Sequence, residues 1–310
     1  MADRRLRVFH AVAKHLSFTK AAETLFMTQP AVTFQVRQLE EQFDTRLFDR
    51  HAHGRIVLTA AGLVAFEYAE RILALSAELD ARLKELSGED SGPLLIGAST
   101  TLAEFLLPKV LGEFKARHPA VVPQLFVANS EAVQARVAER SLDLGFIEGD
   151  SHLPTLVSDF CCDDELRVVC SPRHALARAA AIAPRTLTEH AYISREQGSG
   201  TREVVDHYLA KNGLALEALQ VVMEASSPEA LKGLVATGLG LAIMSRATVT
   251  KEVRLGELVE IPLSPPLVRQ LAVVYPKERF HSRLVEGFVE FAKQRLGAIQ
   301  AGGKPDVQAA

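Results

Sequence analysis

The chain has 310 residues, of which 48% are hydrophobic and 24% charged, which is enough for two or three globular domains. The first residues, MADRRLRVFHAVAKH, lack the apolar segment of a signal peptide, and no apolar run approaches the roughly 18 residues of a membrane span. A soluble cytoplasmic protein is therefore expected, and a membrane protein is excluded. The formal net charge of −3 is uneven, because residues 1–60 contain nine Lys and Arg against six Asp and Glu. A basic first segment suggests a small module that binds a polyanion.

Three short helices are predicted in the first 45 residues. Apolar residues recur at helical spacing from Leu6 to Leu16, FTKAAETL follows a candidate cap at Ser17, and a third helix follows Thr28. We expect the Thr28 hydroxyl to cap this third helix, with Pro30 in its first turn, where a missing N–H costs nothing. Short turns and the small residues of the second helix predict a helix-turn-helix.

The third predicted helix has two different faces. Val32, Val36, Leu39 and Phe43 form an apolar stripe that is expected to pack on a core. The opposite face combines Gln29, Thr33 and Arg37 with Pro30 and Phe34, and core packing does not explain this mixture. An ordinary solvated surface is the alternative, but it gives no reason for an exposed Phe34. A hairpin is predicted next, with HAHG as its turn and RIVLT as a strand.

A long helix is predicted from about residue 58 to 87, with a heptad seam along it. The seam consists of Leu58, Gly62, Ala65, Ala69, Ile72, Ser76, Leu79, Leu83 and Leu86. A helix of this length exceeds one small domain, so we expect it to pair with a second copy of the chain through the seam, and its small residues suggest close approach. The alternative is a helix that lies on the rest of its own chain.

Beyond the linker SGEDSGP (residues 87–93), strand-like apolar runs alternate with helical stretches. The runs are LLIGA, PQLFVA, LDLGFI, LRVVCS, QVVMEA, LAIMS and QLAVVYP, and the helical stretches are 102–117, 131–140, 201–212 and 228–237. This alternation predicts an α/β domain with a parallel sheet. The tail, residues 298–310, is predicted to be disordered.

The sequence offers little for catalysis. Cys161, Cys162 and Cys170 suit neither a disulfide framework nor a zinc site; buried thiols are expected, with a redox-responsive pair as the alternative. There is no HExxH, P-loop, GxSxG or CxxC motif, and TGLGLAIM has Ile243 where a dinucleotide fingerprint needs its third glycine. We therefore expect no enzyme, no metal site and no cofactor.

The order of these parts resembles the LysR-type transcriptional regulators over nearly the whole chain. The resemblance is carried by LRVFHAVAKHLSFTKAAETLFMTQPAVTFQVRQLEEQFDTRLFDR, with VLTAAG closing the hairpin. It implies a fold of class α plus α/β, with a winged helix-turn-helix (1–58), a dimerising linker helix (59–88) and an effector-binding domain (92–297) like a type 2 periplasmic binding protein. Lobe I is expected at 93–161 and 267–297, and lobe II at 162–266. A solute-binding protein for transport shares the two-lobed fold, but it would have no use for residues 1–88.

The family resemblance gives the second face of the third helix a role. It implies an activator that binds promoter DNA as a homodimer or homotetramer and contacts RNA polymerase. A helix fits the major groove, where Gln and Arg can bond adenine and guanine and Phe can touch a thymine methyl. Phe34 departs from many relatives, which carry a polar or basic residue there. The predicted DNA-contacting residues are Lys20, Thr28, Gln29, Pro30, Thr33, Phe34, Arg37, Arg50, His53 and Arg55, of which Lys20, Arg50, His53 and Arg55 are candidates for phosphate contacts.

Two helix starts rich in hydroxyls, GASTT and SREQGSGTREVV, are candidates for binding an anionic effector. Free N–H groups, the helix dipole and hydroxyl donors bind anions, although capping alone explains each motif in isolation. The resemblance implies that both face the cleft between the lobes, with Asn129 and Glu148 near them. The predicted effector-binding residues are Ser99, Thr100, Thr101, Asn129, Glu148, Ser199, Gly200, Thr201 and Arg202.

Glu148 complicates an anion site. A carboxylate there would repel an anion unless Arg202 or a ligand proton balances it, so Glu148 is either exposed at the hinge or helps to choose a protonated ligand. The segments REQGSGTR, FIEGD and AVVYPKERFHSRLVEGFVEF resemble the branch of the family that contains CbbR and the regulators of sulfur metabolism. This implies a small anion, such as an inorganic sulfur oxyanion, with a phosphorylated metabolite as the second choice.

Overall fold

The computed structural model describes residues 3–50, 56–86, 91–277 and 282–300, and the chain forms two compact units that divide between Glu89 and Asp90. The first unit contains helices α1 (Arg4–His15), α2 (Phe18–Thr24) and α3 (Gln29–Gln42), strands β1 (Phe48–Arg50) and β2 (Ile56–Leu58), and helix α4 (Ala60–Leu86). The two strands pair antiparallel. This is the predicted winged helix-turn-helix followed by a long helix.

An apolar core holds the first unit together. Phe9 of α1 and Val32 of α3 are fully buried, and the Phe9 ring centroid lies 5.4 Å from that of Phe48 in β1. Ser17 caps α2 as predicted, because its side chain accepts a hydrogen bond from the Lys20 N–H at 3.2 Å. The helix-turn-helix is therefore fixed by both packing and local capping.

Two predicted details of α3 are wrong. Thr28 is the N-cap residue, but its side chain makes no capping hydrogen bond. An N-cap hydroxyl bonds the second or third helical N–H, and Pro30, at the second position, removes one of these two donors. Phe43, predicted to lie on the core, is 55% exposed. Because α3 ends at Gln42, the backbone leaves the helical path at Phe43, and its side chain does not continue the buried line of Val32, Val36 and Leu39.

The residues of the predicted heptad seam lie on two different surfaces of helix α4. Ala65 and Ala69 pack on the core of their own unit, and a Cβ atom on Gly62 would lie only 2.0 Å from the Leu47 carbonyl oxygen. The prediction that these small residues meet a second copy is therefore wrong. The side chains of Leu83 and Leu86 lie outside the described part. An exposed apolar stripe, between 47% and 65% accessible, consists of Val64, Tyr68, Ile72, Leu75 and Leu79.

The second unit is a mixed α/β domain. Its helices are α5 (Leu107–Arg117), α6 (Ser130–Ala138), α7 (Gly200–Lys211), α8 (Pro228–Ala236), α9 (Arg246–Leu255) and α10 (Arg283–Gln300). Its strands are β3 (Gly92–Ser99), β4 (Val121–Ala128), β5 (Leu144–Glu148), β6 (Leu156–Cys170), β7 (Ala191–Arg195), β8 (Gln220–Ala225), β9 (Ala242–Ser245), β10 (Val259–Ile261) and β11 (Leu267–Pro276). A π-helical turn, Leu102–Leu106, precedes α5.

The main sheet has the order β10-β6-β11-β5-β3-β4, with β9 also paired to β6, and β7 and β8 form a second, parallel pair. The prediction of a parallel sheet is only partly correct. β3 pairs parallel with β4 and β5, but β11 pairs antiparallel with β5 and β6. Apolar runs mark strands without showing their direction, so the antiparallel pairing of β11 was not visible in the sequence, although the family resemblance implied that this segment returns to lobe I.

Strands β6 and β11 pass through both lobes of the second unit. On one side, their residues join a cluster with β3, β5, α5 and α10, as Cys162, Leu271 and Phe288 show. On the other side, Leu166 and Leu267 join a cluster with β7, β9 and α7. Between the two clusters, Asp164 of β6 lies directly opposite Arg269 of β11 in the ladder. A charged pair thus marks the point where the chain crosses between lobes.

The bounds of β3 and α10 correct two smaller predictions. β3 begins at Gly92, so the end of the predicted linker is strand, and α10 continues to Gln300, three residues into the predicted disordered tail. The three cysteines are buried and free, and burial raises the pKa of Cys161 and Cys162 to about 12, which disfavours reactive thiolates. None of the helices described here is both long and apolar enough to span a membrane. The described residues also hold no cluster of three or more metal-binding side chains.

Candidate DNA-binding and effector sites

Helix α3 presents the predicted second face to solvent. Gln29, Pro30 and Arg37 are exposed, Phe34 is more than half exposed, and Thr33 is partly buried. The Thr33 hydroxyl donates a hydrogen bond to the Gln29 carbonyl at 3.0 Å, which leaves its methyl group available for apolar contact. The face therefore combines long polar side chains with an aromatic ring, as contact with base edges requires.

The predicted phosphate-contacting residues are placed less completely. Lys20 is exposed on α2 and Thr28 is exposed at the start of α3, while Arg50 ends β1. His53 and Arg55, in the predicted tip of the wing, lie outside the described residues. Sequence reasoning missed Phe26, which is 98% exposed in the turn before α3 with a φ of 51°. Its only signal was a bulky residue in a tight turn, where the left-handed region favours Gly or Asn.

Five of the predicted effector-binding residues meet in the interior of the second unit. Glu148, at the end of β5, is 4% exposed and accepts hydrogen bonds from Ser99 Oγ at 3.1 Å and Thr201 Oγ1 at 2.9 Å. Thr101 also donates a hydrogen bond to it. Gly200 lies against it, because an added Cβ would be 2.6 Å from the Glu148 carbonyl oxygen. The two predicted helix starts thus converge on a carboxylate of the chain itself.

The prediction that Glu148 is exposed at the hinge is wrong, since it is buried, and its charge is balanced by a cation other than Arg202. Arg269 Nη1 lies 2.9 Å from Glu148 Oε2, and Arg269 Nε donates to Asp164 Oδ2 at 2.8 Å. Ser245 Oγ donates to the other oxygen of Asp164 at 2.7 Å. Burial by itself raises the pKa of Glu148, but Arg269 and the threonine hydroxyls outweigh burial and hold that pKa below its usual range. Glu148 is therefore ionised at neutral pH.

Arg202 lies in a different place from the one predicted. It donates to the Arg195 carbonyl at 3.1 Å and to Glu224 Oε2 at 2.7 Å, so its charge does not balance Glu148. The reason is geometric: Thr201 points inward from the first turn of α7, and the next residue is turned about 100° around the helix. Sequence spacing alone could not show which of the two would face the carboxylate.

Thr100 meets a cation that sequence reasoning missed. Arg195, at the end of β7, is buried, and its Nη2 donates to Thr100 Oγ1 at 3.1 Å and to the Ser226 carbonyl at 3.2 Å. The guanidinium is also paired with Glu196, with 2.9 Å between Nε and Oε2. This arrangement joins lobe I to lobe II through a donor that also suits a carboxylate or phosphate.

Two of the remaining predicted residues border a groove of about 510 Å³. Ser199 and Arg202 line it, and the Ser199 hydroxyl is buried with no hydrogen-bond partner. Asn129 caps α6 by accepting from the Ala132 N–H at 3.0 Å, while its amide donates to the Gln197 carbonyl at 3.3 Å. The walls also carry Glu131, Glu203 and Asp206, so this groove is acidic, which suits an anion poorly.

The lowered pKa of Glu148 predicts a pH dependence of stability. Because its folded-state pKa is below the unfolded value, its ionised form stabilises the fold above about pH 4.5, and this contribution is lost as the pH falls through the folded pKa. The Glu148→Gln variant should therefore have a lower thermal midpoint than wild type at pH 7 and a smaller fall in midpoint between about pH 5 and pH 3. Thermal unfolding across this range measures the effect, with exposed Glu257→Gln as control; parallel curves for all three proteins would refute it.

A winged helix-turn-helix joined to a two-lobed domain with converging polar groups defines a DNA-binding regulator that responds to a small molecule. Residues 4–63 match the family described as bacterial regulatory helix-turn-helix protein, lysR family, and residues 87–297 match the LysR substrate binding domain. The chain belongs to the LysR family of transcriptional regulators. A transport solute-binding protein, the alternative, would not account for the first match.

Two named relatives align with nearly the whole chain, and a solved structure aligns with its second unit. A probable RuBisCO transcriptional regulator of Cyanidioschyzon merolae is 35% identical over 290 residues, covering 92% of this chain and 95% of the relative. The RuBisCO operon transcriptional regulator of Allochromatium vinosum is 34% identical over 289 residues, with coverage of 93% and 94%. The regulatory domain of CcmR from Synechocystis PCC6803, solved in complex with 2-PG, is 27% identical with a TM-score of 0.61, covering 66% of this chain and 97% of that one.

Proposed function

We propose that this protein is an activator of a RuBisCO operon that responds to a small anionic effector. The observation that carries the proposal is similarity at 34% and 35% identity, across both units, to regulators named for that operon. The CcmR domain, which was solved with 2-PG, favours a phosphorylated metabolite as effector over an inorganic sulfur oxyanion. The regulator would act in the cytoplasm, without catalysing a reaction.

The effector would bind between the lobes, with Arg195 and Thr100 as its main anchors. Arg195 provides a buried guanidinium, which pairs with phosphate or carboxylate in two parallel hydrogen bonds. Glu196 now occupies part of that guanidinium, so effector binding would compete with this ion pair. Ser199, whose buried hydroxyl has no hydrogen-bond partner, would contact an uncharged part of the effector, because the neighbouring groove is acidic.

The DNA-contacting surface would be the exposed face of α3 in a major groove. Gln29, Phe34 and Arg37 would contact base edges, while Lys20 and the wing, with Arg50, His53 and Arg55, would contact phosphates. Phe34 would favour a thymine methyl, since its ring offers apolar area and no hydrogen bond. This makes the operator of this protein different from those of relatives with a polar residue there.

Self-association would use apolar surfaces that the described residues leave exposed. The α4 stripe offers a dimer seam, since Tyr68 and Leu75 and also Ile72 and Leu79 are seven residues apart. In the second unit, half-exposed apolar residues lie on the edge strands β4 and β8, namely Val122, Leu125, Val127, Val221, Val222 and Met223. Two kinds of contact surface would give a homotetramer on dyad-related half-sites. The effector would act by binding one arrangement of lobes more tightly, which changes contact with RNA polymerase.

DNase footprinting tests the proposal. The intact protein should protect a dyad-containing site upstream of the RuBisCO genes of its genome, and added 2-PG should change the boundary or affinity of that protection. Arg195→Ala should keep the protection and lose the response to 2-PG, whereas the exposed control Arg185→Ala should keep both. Absence of any protected site at modest salt would contradict the regulatory target, and a full response in Arg195→Ala would contradict the effector site.

A further inference from the structure

The hydroxyl groups that the sequence marks as anion ligands already surround an anion. Glu148 accepts hydrogen bonds from Ser99 and Thr201 and is paired with Arg269. We propose that the deep anion-binding position between the lobes is occupied by Glu148 of the chain itself as a built-in ligand, and that a small free carboxylate binds there when the Glu148 side chain is removed.

The donors around Glu148 come from separate parts of the fold, as they do around a bound ligand. In lobe I, Ser99 ends β3 and Thr101 follows it. Thr201 belongs to the first turn of α7 in lobe II, and Arg269 lies on the crossing strand β11. The Thr201 hydroxyl also accepts from Arg269 Nη1 at 2.8 Å, so the hydroxyl bridges cation and carboxylate. Each of these residues is at most 4% exposed. Glu148 therefore links both lobes through one carboxylate.

Backbone packing brings α7 close enough to take part. A Cβ on Gly200 would lie 2.6 Å from Glu148 Cβ and 2.7 Å from Ser130 Oγ, so only glycine permits this approach. The first turn of α7, a helix of 12 residues, thereby meets the end of β5 that carries the carboxylate. The partial positive charge at a helix N-terminus favours an anion in this place.

Occupation by Glu148 determines what the cleft can accept. Asp164 shares Arg269, so the three buried groups together carry a net negative charge, and a second anion at this depth would be repelled. An anionic effector is left with the Thr100 and Arg195 region. This last point rests on the proposed function, whereas occupation by Glu148 does not.

Chemical rescue tests the proposal on the full-length protein. Glu148→Ala removes a CH2–COO⁻ group, which has the size and charge of acetate. Its thermal midpoint should be below that of wild type, and about 100 mM acetate should raise it by about 3 °C or more relative to chloride at equal ionic strength. Benzoate, which is too large for the vacated volume, should have no such effect. Wild type should not distinguish acetate from chloride.

Glu252→Ala is the matched control. The Glu252 carboxylate is mostly buried and is paired with Lys232 Nζ at 2.7 Å. It lacks a ring of hydroxyl donors, so acetate should not rescue this variant. Equal acetate shifts in all three proteins, or none in folded Glu148→Ala, would overturn the proposal. If Glu148→Ala folds only in acetate, the proposal is supported; failure to fold in both salts counts against it.

A second variant tests the proposal even if Glu148→Ala does not fold. Glu148→Gln preserves the shape of the side chain, so it should fold, be less stable than wild type at pH 7 and show no acetate shift. A thermal midpoint equal to wild type would show that the site does not hold a negative charge, and would overturn the proposal. None of these measurements uses DNA or effector, so they are separate from the test of the regulatory function.

Discussion

Replacing Arg269 by Met is expected to lower the thermal midpoint of the second unit by about 10 °C. Arg269 is 3% exposed and lies between the carboxylates of Glu148 and Asp164, at 2.9 and 2.8 Å. Met fills a similar volume but removes the cation that pairs with both buried carboxylates. Breaking a buried ion pair by removing one partner costs about 3–5 kcal/mol, and each kcal/mol shifts the midpoint of a domain of this size by roughly 2–4 °C.

Calorimetry at several pH values measures this effect. The loss should shrink as the pH falls towards about 4, because burial raises the pKa of Glu148 once Arg269 no longer opposes it, so Glu148 takes up a proton. Arg246→Met is the matched control, since Arg246 is a surface residue that pairs with Glu260 at 3.4 Å, and its loss should change the midpoint little. Equal effects of the two substitutions would show that the buried charges do not organise the crossing between lobes.

The Gly62→Ala substitution is expected to unfold the first unit selectively and to abolish DNA binding. A Cβ at residue 62 would lie 2.0 Å from the Leu47 carbonyl oxygen, and that oxygen accepts a hydrogen bond from the Thr59 N–H at 3.1 Å. Backbone cannot move aside as a flexible side chain does, so the start of α4 must separate from the wing. We expect a destabilisation of about 3 kcal/mol or more, beyond ordinary overpacking.

Hydrogen exchange measured by mass spectrometry locates this effect. Peptides from residues 3–50 should lose protection in Gly62→Ala, while peptides from the second unit should not. Gly112→Ala is the matched control, because Gly112 lies in helix α5 with no atom within 4 Å of an added Cβ. Alanine there should stabilise by about 0.5–1 kcal/mol. Unchanged protection in Gly62→Ala would contradict the close contact between α4 and the wing.

The order of helices and strands could be predicted because local signals for them are strong. Apolar residues at helical spacing located α1 to α3, and continuous apolar runs located β3, β4, β5, β8 and β9. Phe43 was misplaced because periodicity continues in the sequence beyond the point where the helix ends. The heptad in α4 was misread because a small residue fits either a partner helix or its own core, and only packing decides between them.

The predicted effector residues were brought together only in part, because partners distant in sequence decide each side chain's role. Ser99, Thr101 and Thr201 converge as expected, but on Glu148 and Arg269, and no local motif announces a cation 121 residues beyond its carboxylate. Arg195 gave no signal either, since it ends a strand that the apolar pattern did not reveal. Buried charge pairs across a fold are invisible to spacing rules, which describe neighbours along the chain.

The exposed face of α3 is proposed to read bases, and the most direct test compares Arg37→Ala with wild type on two DNAs. Binding to the footprinted operator and to a scrambled sequence of equal length is measured by fluorescence anisotropy at fixed salt. Arg37→Ala should lose about fivefold or more in operator affinity, since a bidentate base contact contributes about 1–3 kcal/mol, and should change little on scrambled DNA. Lys20→Ala, which removes a proposed phosphate contact, should weaken both equally. If Arg37→Ala also weakens both DNAs equally, Arg37 contacts the backbone alone and the account of α3 is wrong.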